Sequence, residues 1–217
     1  MYCGCGAHTV PIAKSGFFDK IIAIELDKRL VDSCKLNCSI NHCLADDYDQ
    51  KREDVDESNA IQNDYNNVTL VHVFQGDAGE WARKSLHANY RRQQQQQQQE
   101  ERIKTQNTTT TKSSSSSSWY NQDHDVLLVD PPRSGLDEKV CNMALNGTFT
   151  HIIYISCGRH ALLKDLQRLC CCKEEEEDEK SSCFEVVDCA LLDLFPRTKD
   201  SVESLVHLRR RRRPIVS

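Results

Sequence analysis

Apolar runs of strand length alternate with helix-patterned segments along much of this 217-residue chain. The runs are rich in Ile, Val and Leu and end in charged or turn-forming residues, as buried strands do. The segments between them repeat apolar residues at helical spacing, for example at Val31, Cys34 and Cys38. This alternation predicts an α/β fold with a largely parallel sheet and helices on its faces. The runs lie at residues 20–26, 68–74, 125–129, 151–155, 184–195 and 202–208.

The last two apolar runs predict a different arrangement at the C-terminal end of the sheet. The run from Phe184 to Phe195 ends in Leu-Phe-Pro, and the next run begins at Val202 after a short polar segment. A connection this short favours an antiparallel pair over a parallel crossover. We therefore expect the sheet to end in an antiparallel hairpin.

Two central runs end in residues that can carry chemistry. One run leads into Asp130-Pro-Pro-Arg133, and the other ends in Ser-Cys157. Because ligands bind beyond the carboxyl ends of strands in open α/β sheets, we expect Asp130 and Cys157 to face the same crevice. Arg159, His160 and the start of the next helix would favour a nucleophilic thiolate at Cys157. The alternative is an ordinary buried cysteine at the end of a strand.

The N-terminal residues suggest a nucleotide site. Gly4 and Gly6 form a glycine-containing turn, a helix is predicted over residues 9–14, and a strand follows that ends near Glu25. In dinucleotide-binding folds, glycines let the backbone approach the ligand, and an acid about 20 residues later binds the ribose hydroxyls. Glu25 could also be an ordinary strand-end carboxylate. Asp77 follows the next strand, where it could accept a hydrogen bond from a base amino group or cap the next helix.

Three segments are predicted to be insertions that do not contribute to a core. Residues 44–67 are acidic and poor in aliphatic residues, residues 91–122 hold Gln, Thr and Ser runs, and residues 173–182 begin with an acidic run. The net charges are −6 over residues 46–64 and −4 over residues 173–180, against −5 for the whole chain. The rest of the chain is therefore not acidic, and charge alone neither requires nor excludes nucleic acid. Residues 209–217 are predicted to be a basic tail.

Twelve cysteines without a secretory signal predict reduced thiols in an intracellular protein. The cysteine spacing lacks the paired pattern of a zinc site, so no metal is expected. No apolar run reaches the length of a membrane span.

Five motifs together resemble the RNA 5-methyluridine methyltransferases, which methylate uracil C5 in tRNA and rRNA. They are YCGCG, IAIELD, LLVDPPRSGL, YISCG and DLFPRTKDSVESLVHL, and they run from residue 1 to about residue 208. The resemblance implies the fold of an S-adenosylmethionine-dependent methyltransferase. This fold is a Rossmann-like sheet of seven strands that ends in an antiparallel hairpin. It also implies that residues 1–208 are a catalytic domain truncated at its N-terminus, because the chain starts where the first strand should end.

The resemblance also implies roles for individual residues. Tyr2, Gly4 and Gly6 match the cofactor loop, Glu25 the ribose-binding acid and Asp77 a position near adenine. Asp130 matches an acid that lines the cofactor and target-base pocket, with Arg133 beside it. Cys157 matches the catalytic nucleophile, and Glu203 matches the general base. The implied cofactor is S-adenosyl-L-methionine. The implied partner is RNA, with tRNA favoured over rRNA, and we expect a monomer.

The implied mechanism explains why a cysteine and an acid are both needed. Uracil C5 is a poor nucleophile until a thiolate adds to C6 and makes C5 enolate-like. A base then removes the C5 proton, and the cysteine is eliminated. The target base must leave its RNA stack to reach both groups.

The chain departs from the family pattern at several positions. Gly158-Arg159 replaces the Asn-Pro that usually follows the cysteine, and Ala7-His8 replaces a polar-then-aromatic pair after the cofactor loop. An upstream glutamine motif and an N-terminal RNA-binding barrel are not in this sequence. One alternative is a catalytically impaired relative that binds RNA or a protein partner. Another is an amino-group methyltransferase, against which Arg133 and Cys157 argue.

Overall fold

A computed structural model describes residues 1–46, 69–105, 124–171, 183–194 and 202–211. The chain divides into two compact units, Met1–Ala78 and Gly79–Ser217. The described residues contain six strands, two in the first unit and four in the second.

The described part of the first unit is built on a parallel strand pair. Its elements are α1 (Thr9–Lys14), β1 (Lys20–Glu25), α2 (Lys28–Ile40) and β2 (Leu70–Gln75). The strands pair in parallel from Lys20 opposite Leu70 to Glu25 opposite Gln75. Their carboxyl ends therefore lie together at one edge, which is the edge where the sequence predicts a ligand.

Helix α2 begins at a residue suited to starting a helix. The Asp27 side chain accepts a hydrogen bond from the Arg29 backbone N–H at 2.9 Å, which satisfies one of the unpaired amides of the first turn. The same helix buries Val31, Cys34 and Cys38, as its apolar spacing predicts. These side chains join one core with residues of α1 and both strands.

The described part of the second unit is a mixed four-stranded sheet with three helices. Its elements are α3 (Ala78–Thr105, which begins in the last residue of the first unit), β3 (Val126–Val129), α4 (Glu138–Asn146), β4 (His151–Ser156), α5 (Arg159–Cys170), β5 (Phe184–Asp193) and β6 (Val202–Arg210). The strand order is β3-β4-β6-β5. Strands β3 and β4 are parallel, whereas β6 is antiparallel to both β4 and β5. The predicted C-terminal hairpin is confirmed, and β6 inserts between β4 and β5.

The two faces of this sheet are buried to different degrees. Along β4, Ile152, Tyr154 and Ser156 are buried, whereas His151, Ile153 and Ile155 are half-buried. Strand β6 repeats the alternation, with Val206 and Leu208 buried. This period of two is the one expected of a strand with one face on the core.

Arg210 is part of the folded domain. It is the last residue of β6, its guanidinium lies 4.7 Å from the centre of the Phe184 ring, and burial lowers its pKa. The guanidinium donates hydrogen bonds at the C-terminal end of α4, where helix carbonyls have no intrahelical partner. The four acceptors are the carbonyl oxygens of Ala144, Leu145, Gly147 and Phe149, at 2.6 to 3.0 Å. The prediction of a basic tail from residue 209 is therefore wrong for Arg209 and Arg210, and residues 212–217 lie outside the described part of the chain.

Two predicted insertions also need correction at their ends. Residues 91–105 belong to α3, although their composition predicts a disordered loop. Glutamine has a good helix propensity, so a helix started by the preceding residues can continue through the Gln run. Leu44 and Ala45 are buried, and Leu44 bridges to Val71, so the first insertion starts later than residue 44. The remaining parts, residues 47–67, 106–122 and 173–182, lie outside the described residues.

Candidate active site and cofactor loop

The N-terminal turn is held against the end of β1. The Cys3 backbone N–H donates to the Ile24 carbonyl at 3.1 Å, and the Gly6 N–H closes the turn on the Cys3 carbonyl at 2.9 Å. The Asn37 amide of α2 donates to the Cys5 carbonyl at 2.9 Å. The predicted cofactor loop is therefore tied to both a strand and a helix.

Glu25 organises the same loop from the end of β1. One carboxylate oxygen accepts a hydrogen bond from the Gly4 N–H at 2.9 Å. The other accepts from the Leu26 and Asp27 amides at 2.8 and 3.0 Å. Each carboxylate oxygen has two lone-pair directions, so the oxygen bonded to Gly4 retains one acceptor position for a ligand hydroxyl.

The backbone of this loop leaves room for a ligand beside Glu25. Tyr2 and Gly4 have φ angles of 60° and 54°, in the left-handed region. Among the described residues, no atom lies within 4 Å of the point that a Cβ on Gly4 would occupy. A half-buried carboxylate beside an open glycine backbone fits the ribose end of a nucleoside.

Gly6 serves packing. Its φ is 89°, and a Cβ there would lie 2.9 Å from the Cys34 Sγ. Hydrogen bonding to Cys34, followed by burial, raises the pKa of Cys3 above its ordinary value. Cys34, Cys38, Cys43 and Cys141 are buried, as expected for structural thiols. The expectation of reduced thiols is wrong at Cys183, which is disulfide-bonded.

Asp77 stands between β2 and α3. It is exposed and directly precedes the first helical residue, Ala78, so its position is compatible with both a helix cap and a ligand contact. The preceding Gly76 N–H donates to the Glu25 carbonyl at 2.8 Å, which keeps the ends of the two strands together.

Asp130, Cys157 and Glu203 occupy the ends of three adjacent strands in the second unit. Asp130 directly follows β3, Cys157 directly follows β4, and Glu203 is the second residue of β6. The last pair between β4 and β6 is Ser156 opposite Ser204, so Cys157 and Glu203 are the next residues on the two strands. Facing residues of paired strands have Cβ atoms about 5 Å apart.

The alternation of the strands puts these three residues on one face. Asp130 comes two positions after Leu128, and Cys157 comes two positions after Ile155. Glu203 comes two positions before Leu205, which pairs with Ile155. All three belong to the half-buried face, where a bound group has access.

Arg133 and the residue after Cys157 form a tight contact between two loops. A Cβ on Gly158 would lie 2.5 Å from the Arg133 carbonyl oxygen, so only glycine fits without moving that loop. The Ser156 hydroxyl accepts a hydrogen bond from the Gly158 N–H at 3.0 Å. Gly158, which replaces the usual family residue, thus allows the Asp130–Arg133 loop to approach the backbone closely at this position. The Arg133 side chain itself is exposed.

Asp165 holds this loop in place, and the sequence analysis missed it. Its carboxylate accepts hydrogen bonds from the Tyr154 hydroxyl at 2.7 Å and the Leu136 N–H at 2.8 Å, and the residue is 2% exposed. Gly135, with a φ of 89°, lets the loop approach, because a Cβ there would lie 2.6 Å from the carboxylate. A signal was present in the sequence: Asp165 interrupts the apolar helical stripe of Leu162, Leu166 and Leu169.

Replacing Asp165 with alanine is expected to lower the free energy of unfolding by roughly 2 to 5 kcal/mol. Two buried donors lose their acceptor, and each unsatisfied group costs about 1–3 kcal/mol. Asp165→Asn is the matched control, because its amide oxygen can accept both bonds, and it should lose much less stability. Urea denaturation of the three proteins measures the difference. Equal stability of Asp165→Ala and the parent protein would contradict the assigned role.

The structure thus groups the predicted site residues by unit. Tyr2, Gly4, Gly6, Glu25 and Asp77 share one edge of the first unit, and Asp130, Arg133, Cys157 and Glu203 share one edge of the second. Within the described residues, no cluster of three or more His, Cys, Asp or Glu side chains is arranged to hold a metal ion. The helices of the described segments include none with the length and apolar character needed to span a membrane.

The α/β fold defined by these elements is similar to that of a solved structure. The structure is similar to that of Pyrococcus abyssi tRNA (uracil-54, C5)-methyltransferase, which was solved in complex with S-adenosyl-L-homocysteine. The TM-score is 0.51 at 18% sequence identity, and the match covers 96% of this chain and 33% of the other. The predicted α/β class is confirmed, although the described strands form two sheets rather than one of seven strands.

The family resemblance is confirmed by sequence comparison. Residues 116–211 match the family model for tRNA (Uracil-5-)-methyltransferase. A tRNA/tmRNA (uracil-C(5))-methyltransferase of Sulfurovum sp. is 27% identical over 97% of this chain. An uncharacterized RNA methyltransferase of Protochlamydia amoebophila is 37% identical over 86 residues, which are 40% of this chain and 17% of that protein. The chain spans about 40% of the length of the Sulfurovum relative.

Proposed function

We propose that this chain carries the catalytic machinery of an S-adenosylmethionine-dependent methyltransferase that acts on uracil C5 in RNA, with tRNA as the favoured substrate. One observation supports this above all. Asp130, Cys157 and Glu203 lie at the same edge of the sheet, at the ends of three neighbouring strands and on one face. They also fall within the segment that matches the family model. A thiol next to a carboxylate at the ligand-binding edge is the pair that pyrimidine C5 chemistry requires.

Glu25 and the turn from Tyr2 to Gly6 are the proposed cofactor-binding residues. Glu25 would accept a hydrogen bond from a ribose hydroxyl, and the open backbone at Gly4 would lie against the ligand. Asp77 would accept a hydrogen bond from the adenine amino group. When bound, S-adenosyl-L-methionine supplies an electrophilic methyl group.

Cys157 is the proposed nucleophile, and Glu203 is the proposed base. The Cys157 thiolate forms a bond to C6, and the C5–C6 electron pair moves to C5 and the C4 carbonyl oxygen. C5 thereby becomes nucleophilic enough to be methylated. Glu203 then takes the proton from C5, the electron pair restores the double bond, and the bond to Cys157 breaks. Asp130 and Arg133 border the pocket in which the base is held.

The substrate must bring its base out of a stack to reach these residues, which favours a loop or an opened helix of RNA. The exposed Arg133 and Arg159 lie beside this edge and could contact phosphates. We infer an intracellular enzyme that acts as a monomer, in keeping with its many free cysteines.

The proposal is tested by incubating the chain with unmodified tRNA transcript and cofactor labelled in the methyl group. Labelled RNA that yields 5-methyluridine on nucleoside digestion is the expected result. An N-methylated base would point instead to an amino-group methyltransferase. RNA binding without transfer would indicate a catalytically impaired relative. Either of these two results would overturn the proposal.

A further inference from the structure

A groove lies between α3 and α4, away from the candidate active site. Its volume is about 790 Å³, within the range of small-ligand sites. It is lined by residues of the second unit only, among them Arg83, Asn89, Tyr90, Lys139 and Arg210. The α4 lining continues to Asn146 and Gly147 at the C-terminal end of that helix, near the amino end of β4. Cys157 follows the other end of β4, about 20 Å away along the strand.

The charge of the groove is positive but partly neutralised. Arg83 and Lys139 each lie 2.8 Å from a carboxylate oxygen of Glu80. The hydrogen bond from Arg83 and, to a smaller extent, that from Lys139 lower the pKa of Glu80 to about 2. The carboxylate is therefore charged at neutral pH. Arg210 adds a third positive charge whose donors are used by backbone carbonyls. Glu80 therefore occupies two cations that a phosphate could bind instead.

The groove also offers contacts suited to a nucleobase. Tyr90 is 61% exposed on α3, although an aromatic ring normally seeks burial. The Asn89 Oδ1 is buried and has no hydrogen-bond partner among the described residues. A buried acceptor without a donor costs free energy, which a ligand N–H would recover once the Asn89 side chain, which lines the groove, turns its amide toward the ligand. An exposed ring, an unsatisfied amide and nearby cations are the elements that bind single-stranded nucleic acid.

We propose that this groove binds a single-stranded segment of RNA. Tyr90 stacks on a base, Asn89 accepts a hydrogen bond from the edge of that base, and Arg83 and Lys139 exchange Glu80 for phosphate oxygens. The inference rests on the proposed function, because it supplies a second contact for an RNA whose target base lies at Cys157. The groove lies near the amino end of β4 and Cys157 follows its carboxyl end, so one RNA could occupy both sites at once.

The test is fluorescence anisotropy of a short labelled oligouridylate without cofactor, over a range of salt concentrations. Tyr90→Ala should weaken binding about tenfold, whereas Tyr90→Phe keeps the ring and should bind like the parent protein. Lys139→Gln should weaken binding and reduce the slope of log affinity against log salt by about 0.7. Glu80→Gln should strengthen binding, because it removes the negative charge that Arg83 and Lys139 now contact.

Lys164→Gln is the control, since this lysine is exposed on α5 and does not line the groove. It should bind like the parent protein. The inference is overturned if the oligonucleotide does not bind, if Tyr90→Ala binds normally, or if Glu80→Gln weakens binding. It is also overturned if polyglutamate competes as well as RNA, which would indicate an acidic peptide site. These measurements do not involve Cys157, so their failure is distinguishable from failure of the methylation assay.

Discussion

Replacing Cys157 with alanine is expected to abolish formation of a covalent complex with RNA that contains 5-fluorouridine. The thiol is the proposed source of the bond to C6, and alanine has no nucleophile to offer. In the parent protein, fluorine at C5 prevents the proton abstraction that releases the cysteine, so the adduct should persist through denaturing electrophoresis. Methylation of normal RNA should be lost in the same variant.

The loss must be separated from a folding defect. Cys157 is half-buried, so removing its sulfur should cost no more than about 1 kcal/mol, as for a typical single substitution. Cys171→Ala is the matched control, because that thiol is exposed just beyond the end of α5 and should be dispensable. Cys157→Ala that still forms the adduct, or a parent protein that forms none, would refute the thiol mechanism.

The strands could be predicted from the sequence because their pattern is local. Short Ile- and Val-rich runs bounded by polar residues predict the ends of β1, β3 and β4 to within one residue of the observed ends. The insertion of β6 between β4 and β5 could not be read in the same way. Strand order depends on contacts between residues more than 50 positions apart, such as Ile152 with Leu208, and periodicity carries no such information.

The wrong predictions for the Gln run and for Arg210 share a cause, because composition does not determine structure where contacts between distant residues decide it. The Gln run reads as low complexity, yet it continues a helix that the preceding residues start. Arg210 reads as one member of a charge block, but its guanidinium caps α4 and packs on Phe184. A single buried arginine with satisfied donors differs from its exposed neighbours only in its contacts.

The candidate site was predictable to the extent that chemistry marks its residues. Asp130 and Cys157 lie at strand ends with recognisable neighbours. Glu203 could be predicted only from the family resemblance. Asp165 has no such motif, although it holds Tyr154 and Leu136 and thereby fixes the loop that follows Asp130. Its role follows from a buried carboxylate with two donors, which only the folded chain brings together.

Replacing Glu203 with glutamine is expected to slow turnover by roughly 100- to 10,000-fold, the range typical of losing a general acid or base. Glutamine is nearly isosteric but cannot take the C5 proton, so the cysteine cannot be eliminated. A covalent complex should therefore accumulate with ordinary uridine in the RNA, which the parent protein does not allow. Electrophoresis under denaturing conditions, with cofactor present, measures this accumulation.

Asp193→Asn provides the matched control for Glu203→Gln. Asp193 is an exposed acid on the same hairpin, paired with Val202 next to Glu203, and it should leave turnover unchanged. If Glu203→Gln turns over like the parent protein, or loses activity without accumulating the complex, Glu203 is not the base. Accumulation in this variant together with its absence in Cys157→Ala would establish the order of the two steps, because C5 can carry both the new methyl group and its hydrogen only after sulfur has bonded to C6.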